Sequence, residues 1–314
     1  MLRFVIRRLI QSVFILLGVS MLSFALMHAA PGGLTTLYAN PRIPAATIER
    51  LEEQFGLRDP IPVQYLKWLS NVLQLNFGYS LIDQRPVVDK IAERLPATIQ
   101  LSLASILLGL LGIPLGVYAA MHRGSWIDNT VRVFTVIGNA VPHWWLGLMI
   151  LVLSANTIRI FPLGGMYTPG NDTLLDRLWH LLLPATIGAM GGWITYSRYI
   201  RSEVLEVLGQ DFVRTARAKG LSERLVMGRH VLRNALIPVV TIMGGTLAAL
   251  VSGSVLFEST FSWPGIGRMA VAAAFQRDYP VLMALNMLGA TLVILGNLLA
   301  DIAYGWVDPR VRYD

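Results

Sequence analysis

Arg214, Arg217, Lys219, Arg224, Arg229 and Arg233 crowd into one segment, DFVRTARAKGLSERLVMGRHVLRNALIP, from Asp211 to Pro238. Long apolar runs flank it on both sides. Cations at that density do not rest in hydrocarbon, so the segment belongs at a membrane surface. The chemistry it offers is surface contact rather than bond-making. Lys219 followed by Gly220 is the cation-then-glycine signal of a helix end. Ser222 offers an N-cap oxygen to a second helix, and Glu223 places a carboxylate at that helix's positive end. Pro238 opens the next apolar run. The expectation is a rigid, capped helix–turn–helix, basic on one side, with Leu221, Leu225 and Val226 available to fill a groove on a soluble partner.

Bond-making chemistry is scarce elsewhere. The chain holds no G-x-x-x-x-G-K-[ST] phosphate loop. His28, His122, His143, His180 and His230 are scattered, without the H-E-x-x-H spacing of a zinc site. No G-x-S-x-G nucleophile elbow occurs. The absence of cysteine excludes disulfides, thiolate catalysis and zinc–thiolate sites. Asn171-Asp172-Thr173 fits a glycosylation sequon, a three-residue match that chance supplies often. The chain is expected to bind no metal and no cofactor of its own and to have no enzyme activity.

The elements that must position the basic segment are membrane helices. Hydrophobic residues make up 54% of the 314 and charged residues 14%, against about 25% charged in an ordinary soluble domain. Six apolar runs are long enough to cross a hydrocarbon core of about 30 Å. They are Leu9–Ala29, Ala97–Ala119, Val133–Ala155, Leu181–Ser197, Leu236–Val255 and Val281–Tyr304. The expected fold is all-α, a polytopic membrane protein with six transmembrane helices. A cleavable signal peptide is the rival reading of the first run. That run exceeds the usual 7–15-residue signal core, and Pro31 follows it at once.

Orientation follows from Lys and Arg in short loops. With the N-terminus inside, fifteen fall in cytoplasmic pieces and four in short outer loops. The net charge of +7 is therefore largely topological, and a nucleic-acid-binding face is not indicated. Both termini, the loop around Trp126 and the Arg198–Arg233 loop are expected in the cytoplasm.

The expected organisation is an N-terminal helix (1–30), an extracytoplasmic domain (31–96), a five-helix core (97–305) with its cytoplasmic loop at 198–235, and a short tail (306–314). Residues 31–96 are more than a connector. Ala45–Phe55 has an amphipathic helical pattern, Pro62 sits at a helix start, and Val87–Arg94 reads as a third short helix. A structural cap and a docking surface both suit such a domain. The loop from Glu258 to Asp278 shares the outer side, and Trp263-Pro264-Gly265 within it reads as a tight turn presenting an aromatic ring. Gln64, Glu258, Ser262 and Trp263 are the docking candidates.

Polar residues within the apolar runs are pathway candidates or buried hydrogen-bonding groups. Asn139 and His143 fall four apart, on one face of a helix kinked at Pro142. Asn286 and Asn297 share a face of the last run. Gly112 with Gly116, and Gly188 with Gly192, are small-x-x-x-small pairs suited to close helix contact.

These features together resemble the permease subunit of the dipeptide/oligopeptide/nickel class of ABC importers, along essentially the whole chain. The resemblance is carried by Leu2-Arg3 with Arg7-Arg8, Phe55-Gly56-Leu57 with Pro60 and Pro62, Gln64-Tyr65, and Phe77-Gly78 with Ser80. It continues in Arg85-Pro86-Val87, Leu95-Pro96-Ala97-Thr98, and above all Arg214-Thr215-Ala216-Arg217-Ala218-Lys219-Gly220-Leu221. Arg229-His230, Arg233-Asn234-Ala235, Phe257-Glu258, Phe261, Trp263-Pro264-Gly265 with Gly267, Asp278-Tyr279-Pro280 and Asp308-Pro309-Arg310 complete it. The general importer loop follows E-A-A-x-x-x-G. Here Arg214 and Thr215 replace its first two residues, and Ala216 and Gly220 keep it, a departure this class shares.

The resemblance implies that Arg214 through Glu223, with Leu225, form a coupling helix in a groove on an ATPase subunit. It implies two ATPase subunits or domains holding ATP and Mg, a homologous second permease, and an extracytoplasmic substrate-binding protein. It also implies a bacterial-type inner membrane with its lipid, and alternating access between the paired permeases. Peptides are the expected cargo, with nickel chelates, glutathione or oligosaccharides as the alternative. A stand-alone secondary transporter or channel would instead show intramembrane carboxylates or inverted repeats, and neither is evident. Asp301, near the cytoplasmic end of the last run, can be solvated there.

Overall fold

The computed structural model describes residues 2–29, 49, 56, 59–157, 160–239, 242 and 255–307. Among them the architecture is helical, and the extended pairings are the isolated bridges Tyr79–Pro86 and Thr168–Asn171. The helices are α1 (Leu2–Ala29), α2 (Ile61–Leu73), α3 (Val87–Gly109), α4 (Gly112–Met121), α5 (Trp126–Ala140), α6 (His143–Asn156) and α7 (Leu174–Leu208). After the 35-residue α7 come α8 (Asp211–Ala218), α9 (Glu223–Leu225) and a π-helical stretch, Val226–Leu232. The set closes with α10 (Val255–Thr260), α11 (Ile266–Gln276) and α12 (Tyr279–Val307).

Among the described residues, three stretches are long and apolar enough to cross a membrane: Ile6–Ala29, Val87–Met121 and Tyr279–Leu298. The expected third span, Val133–Ala155, is not one kinked helix. It is α5 and α6, bent by 92° at Val141-Pro142. Pro142 takes the N-cap of α6 in extended backbone, because a proline suits a helix start better than a helix interior. The expected fourth span lies inside α7, which extends well beyond the apolar run at both ends. Thr173 Oγ1 accepts the Asp176 N–H to start it, and buried Ile200 and Val204 carry it past Ser197. Most of the expected fifth span, and nearly all of the Ala45–Phe55 helix, fall outside the described residues. Val87–Arg94 is not a separate short helix but the first two turns of α3, which continues through Pro96. The expected domain boundary at 96/97 therefore falls inside a helix. Pro62 does stand in the first turn of α2, behind Pro60 at the N-cap.

α7 is the hub and packs against α3, α4, α5 and α6, while α1 lies along α12. Glycine makes the α7 contact close. A Cβ on Gly192 would sit 2.8 Å from the Gly109 Cα, and one on Gly112 would sit 2.8 Å from the Trp193 Cα. One on Gly116 would meet the Ser197 carbonyl at 2.4 Å, and one on Gly188 the Ser105 hydroxyl at 2.4 Å. The two small-residue pairs are thus opposite sides of one seam, where backbones approach without side chains between them. The Trp193 indole N–H donates to the Leu108 carbonyl across it at 2.6 Å.

Core packs at both ends of the bundle. At the Arg-rich end, Ala120, Tyr196, Ile200 and Val204 pack with Val213, Ala216, Val226 and Val231. At the opposite end, Phe24, Met27, Trp68 and Val72 join Met283 and Met287, while Val87 and Ile91 meet Ile266, Met269 and Val281.

Candidate functional site

The basic segment forms a closed hairpin. Lys219 is the C-cap of α8, and Gly220 takes φ +77°. The Leu221 N–H reaches the Ala216 carbonyl at 3.4 Å and the Gly220 N–H reaches the Arg217 carbonyl at 2.9 Å. Those two bonds with a left-handed glycine are a Schellman closure. Ser222 occupies the N-cap of α9, but its hydroxyl makes no capping bond, contrary to the expectation from sequence. The turn is stitched instead by Arg217, whose Nη2 and Nε donate to the Glu223 carboxylate at 2.6 and 3.2 Å. That guanidinium holds the Glu223 carboxyl below its usual range.

Burial divides the hairpin into an inner and an outer side. Val213 and Ala216 face inward and are buried, as is Val226, which therefore fills its own core rather than a partner's groove. Leu221 is half-buried against the same core. Arg214, Thr215, Arg217, Ala218, Lys219, Gly220, Ser222 and Glu223 are exposed. Two large apolar side chains join them: Leu225 and Phe212, each 44% exposed. Phe212 was not singled out from sequence, although its position next to inward Val213 and one turn before Thr215 places it on the outer face.

The hairpin is fixed to the bundle. The π-helical stretch buries Val226, Met227 and Val231 against α7 and α8. Asp128 is 1% exposed and pairs with Arg201 of α7, at 2.5 Å to Nε and 2.9 Å to Nη2. Asp128 also accepts the Gly124 N–H at 3.0 Å. This pair, with its carboxylate buried, ties the α4–α5 turn to the helix that carries the hairpin. Its members are 73 residues apart, and no local pattern connects them.

The opposite end is a second hydrogen-bonded unit. Glu258 accepts from the Thr98 hydroxyl at 2.8 Å and from the Arg268 backbone N–H at 3.0 Å. Thr98 Oγ1 accepts the Ile266 N–H, and the Trp263 indole donates to the Ala97 carbonyl, each at 2.8 Å. A Cβ on Gly265 would strike the Glu258 carboxylate at 2.4 Å, so only glycine fits there. Burial raises the Glu258 carboxyl above its usual range, against the pull of those donors. Asp278 accepts from the Ser80 hydroxyl at 2.5 Å and the Leu81 N–H at 3.0 Å.

The docking candidates need correction on this account. Glu258 and Trp263 are each 1% exposed and Gln64 is 7% exposed. None presents its side chain outward. Gln64 lies 3.0 Å from His28 Nε2 and donates to the Asp59 carbonyl at 2.9 Å, seating α2 on α1. Ser262 is part-exposed with φ +50°. Removing the Glu258 acceptor would leave the Thr98 hydroxyl and the Arg268 N–H buried without a partner, at about 1–3 kcal/mol for each group. Glu258→Ala is expected to lower thermal stability in detergent by several degrees, and Glu258→Gln by clearly less. Equal stability of Glu258→Ala and the unsubstituted protein would refute the latch.

The pathway candidates separate. Asn139 is exposed in the last turn of α5. His143 begins α6, with Nε2 3.2 Å from the Gly138 carbonyl and the ring against Gly191 of α7. They share no helix face. Asn286 is exposed on α12.

Known proteins resemble this chain along most of its length. The model of the binding-protein-dependent transport system inner membrane component matches residues 112–313, and the model of its N-terminal region matches residues 1–102. The oligopeptide transport system permease protein AppB of Bacillus subtilis is 46% identical over 313 residues, 99% of each chain. Among solved structures, an inward-facing form of the MetNI methionine ABC transporter has a chain that superposes with TM-score 0.53 at 19% identity, covering 69% of this chain and 96% of that one. That likeness concerns the fold. The chain belongs to the family of binding-protein-dependent transport system inner membrane components.

Proposed function

We propose that this chain is one of two permeases in an ATP-driven importer of peptides, with the basic hairpin as its contact to the ATPase. The observation that carries this reading is the hairpin itself: a Schellman-closed turn with exposed Phe212 and Leu225, built into the core of α7. A rigid knob of that kind moves its helix when a partner grips it. The peptide cargo rests on the relative named as an oligopeptide permease. The second permease, the two ATPase subunits and the soluble binding protein complete the proposed assembly. ATP and Mg stay with the ATPases.

In the proposed topology the hairpin and both termini are cytoplasmic, and residues 31–96 with the 258–278 loop are outside. Detergent extraction of the tagged chain is expected to bring ATPase subunits down with it. Because the chain has no cysteine, Ser222→Cys gives a single label. It should stay unlabelled by an impermeant maleimide outside intact cells and react in inverted vesicles, where bound ATPase should protect it. Labelling from outside would reverse the orientation, and an extract without ATPase would remove the importer reading.

A further inference from the structure

At the end of the bundle opposite the hairpin, a cleft of about 370 Å³ opens between the start of α3 and α11. Asp83, Arg85, Lys90, Glu93, Arg94, Arg268, Met269 and Ala272 line it. Four of its lining side chains are cationic and two anionic, with Asp89 and Asp278 close behind them. Arg85 is held by Glu93 through both terminal nitrogens, with Asp89 also near it. Lys90 is held by Asp83 at 2.8 Å and by the Ser80 hydroxyl at 2.9 Å. That leaves Arg94 and Arg268 without an ion pair among the described residues, although Arg94 lies within electrostatic reach of Glu93. They stand on opposite walls, one on α3 and one on α11, and both are exposed.

We propose that this cleft is a socket for carboxylate side chains on the soluble binding protein, a reading that rests on the importer function above. A guanidinium offers a planar fork matched to a carboxylate, so two of them across a cleft select acidic groups over other anions of less fixed shape. The walls are set in advance. The Arg268 backbone N–H is bonded to buried Glu258, and its Nη1 donates to the Ser262 carbonyl at 2.6 Å, which fixes the direction of the side chain. Val87 and Ile91 of α3 pack directly on Ile266 and Met269 of α11, so the gap between the walls is a core dimension rather than a loop distance. Cargo is the weaker occupant. The cleft lies within a single permease, and the proposed cargo route runs between two.

The test uses the whole importer in nanodiscs of zwitterionic lipid with its own peptide-loaded binding protein. It reads the binding-protein concentration that gives half-maximal stimulation of ATP hydrolysis. Like charges brought together at an interface cost more than the 1.4 kcal/mol equal to a tenfold change. Arg94→Glu with Arg268→Glu should therefore raise the half-stimulating concentration at least about 10-fold. Arg94→Gln with Arg268→Gln should raise it by a smaller factor in the same direction. The basal rate and the rate at saturating binding protein should not change. Salt near 0.5 M, where screening acts within about 4 Å, should bring wild type and variants together. An unchanged half-stimulating concentration in the charge-reversed protein overturns the socket. So does a lower saturated rate at an unchanged half-stimulating concentration, which would assign the arginines to cargo instead. Failure of wild type itself to respond to binding protein would count against the importer reading and not against the cleft.

Discussion

Phe212→Asp and Leu225→Asp each cut transport and substrate-stimulated ATP hydrolysis at least about 10-fold, while the chain inserts and melts as before. This is the expected result if the hairpin is gripped from outside. Both side chains are 44% exposed, so neither substitution empties the core. In a partner's apolar groove, a carboxylate without a counter-charge costs several kcal/mol, and 1.4 kcal/mol is already a factor of ten. Leu221→Asp is a less clean probe, because Leu221 also packs against the core that holds Val213 and Val226. Gly220→Pro acts differently. Proline holds φ near −65°, whereas Gly220 sits at +77° with no atom within 4 Å of a would-be Cβ. The damage there is a reopened turn rather than a clash, so Gly220→Ala should be milder than Gly220→Pro. Unimpaired stimulation of ATP hydrolysis in the Phe212→Asp and Leu225→Asp proteins would exclude the hairpin as the coupling element.

The second large effect is expected at the glycine seam. Gly116→Val would drive a branched side chain into space where a single Cβ already lies 2.2 Å from Ile200 Cγ2 and 2.4 Å from the Ser197 carbonyl. The carbonyl belongs to the backbone of α7 and cannot rotate away. Overpacking of this kind costs roughly 1–3 kcal/mol when side chains alone must shift, and more when two helices must part. Gly192→Val meets the Gly109 backbone in the same way. Both variants should lose most of their monodisperse yield on size exclusion. Gly289→Val is the control, since no atom lies within 4 Å of its would-be Cβ. A seam variant that purified and melted like Gly289→Val would show that α3, α4 and α7 are not in backbone contact.

Local signals were readable along this chain, and distant pairings were not. The turn at Gly220, the proline start of α2 and the small-residue pairs follow from backbone preferences that one residue or one helix face declares. The motifs that carried the family resemblance turn out to meet one another. Thr98 bonds Glu258 across 160 residues, and Ser80 bonds Asp278 across 198. A reading of loops by polarity made Glu258 and Trp263 surface groups, because nothing near them in sequence announces partners on α3. Val226 was misplaced for a similar reason. An apolar residue after a turn faces either way, and the wider π-helical turn sets its direction. α7 outran its apolar run because tertiary packing, not hydropathy, sustains its last two turns.

The break between α5 and α6 has a consequence for the solvent around it. Helices of 15 and 14 residues are each about 21–23 Å long at 1.5 Å per residue, short of the roughly 30 Å of hydrocarbon. In the proposed topology the bent pair is one span, and its elbow then lies at depth, where the last carbonyls of α5 have no next turn to bond. His143 answers for the Gly138 carbonyl. Lipid tails have no donors for the others, and bare backbone at that depth survives only beside protein or water. The side of the bundle that carries the elbow, with exposed Asn139 on it, is thereby barred to acyl chains. It must be either wetted or covered by another polypeptide.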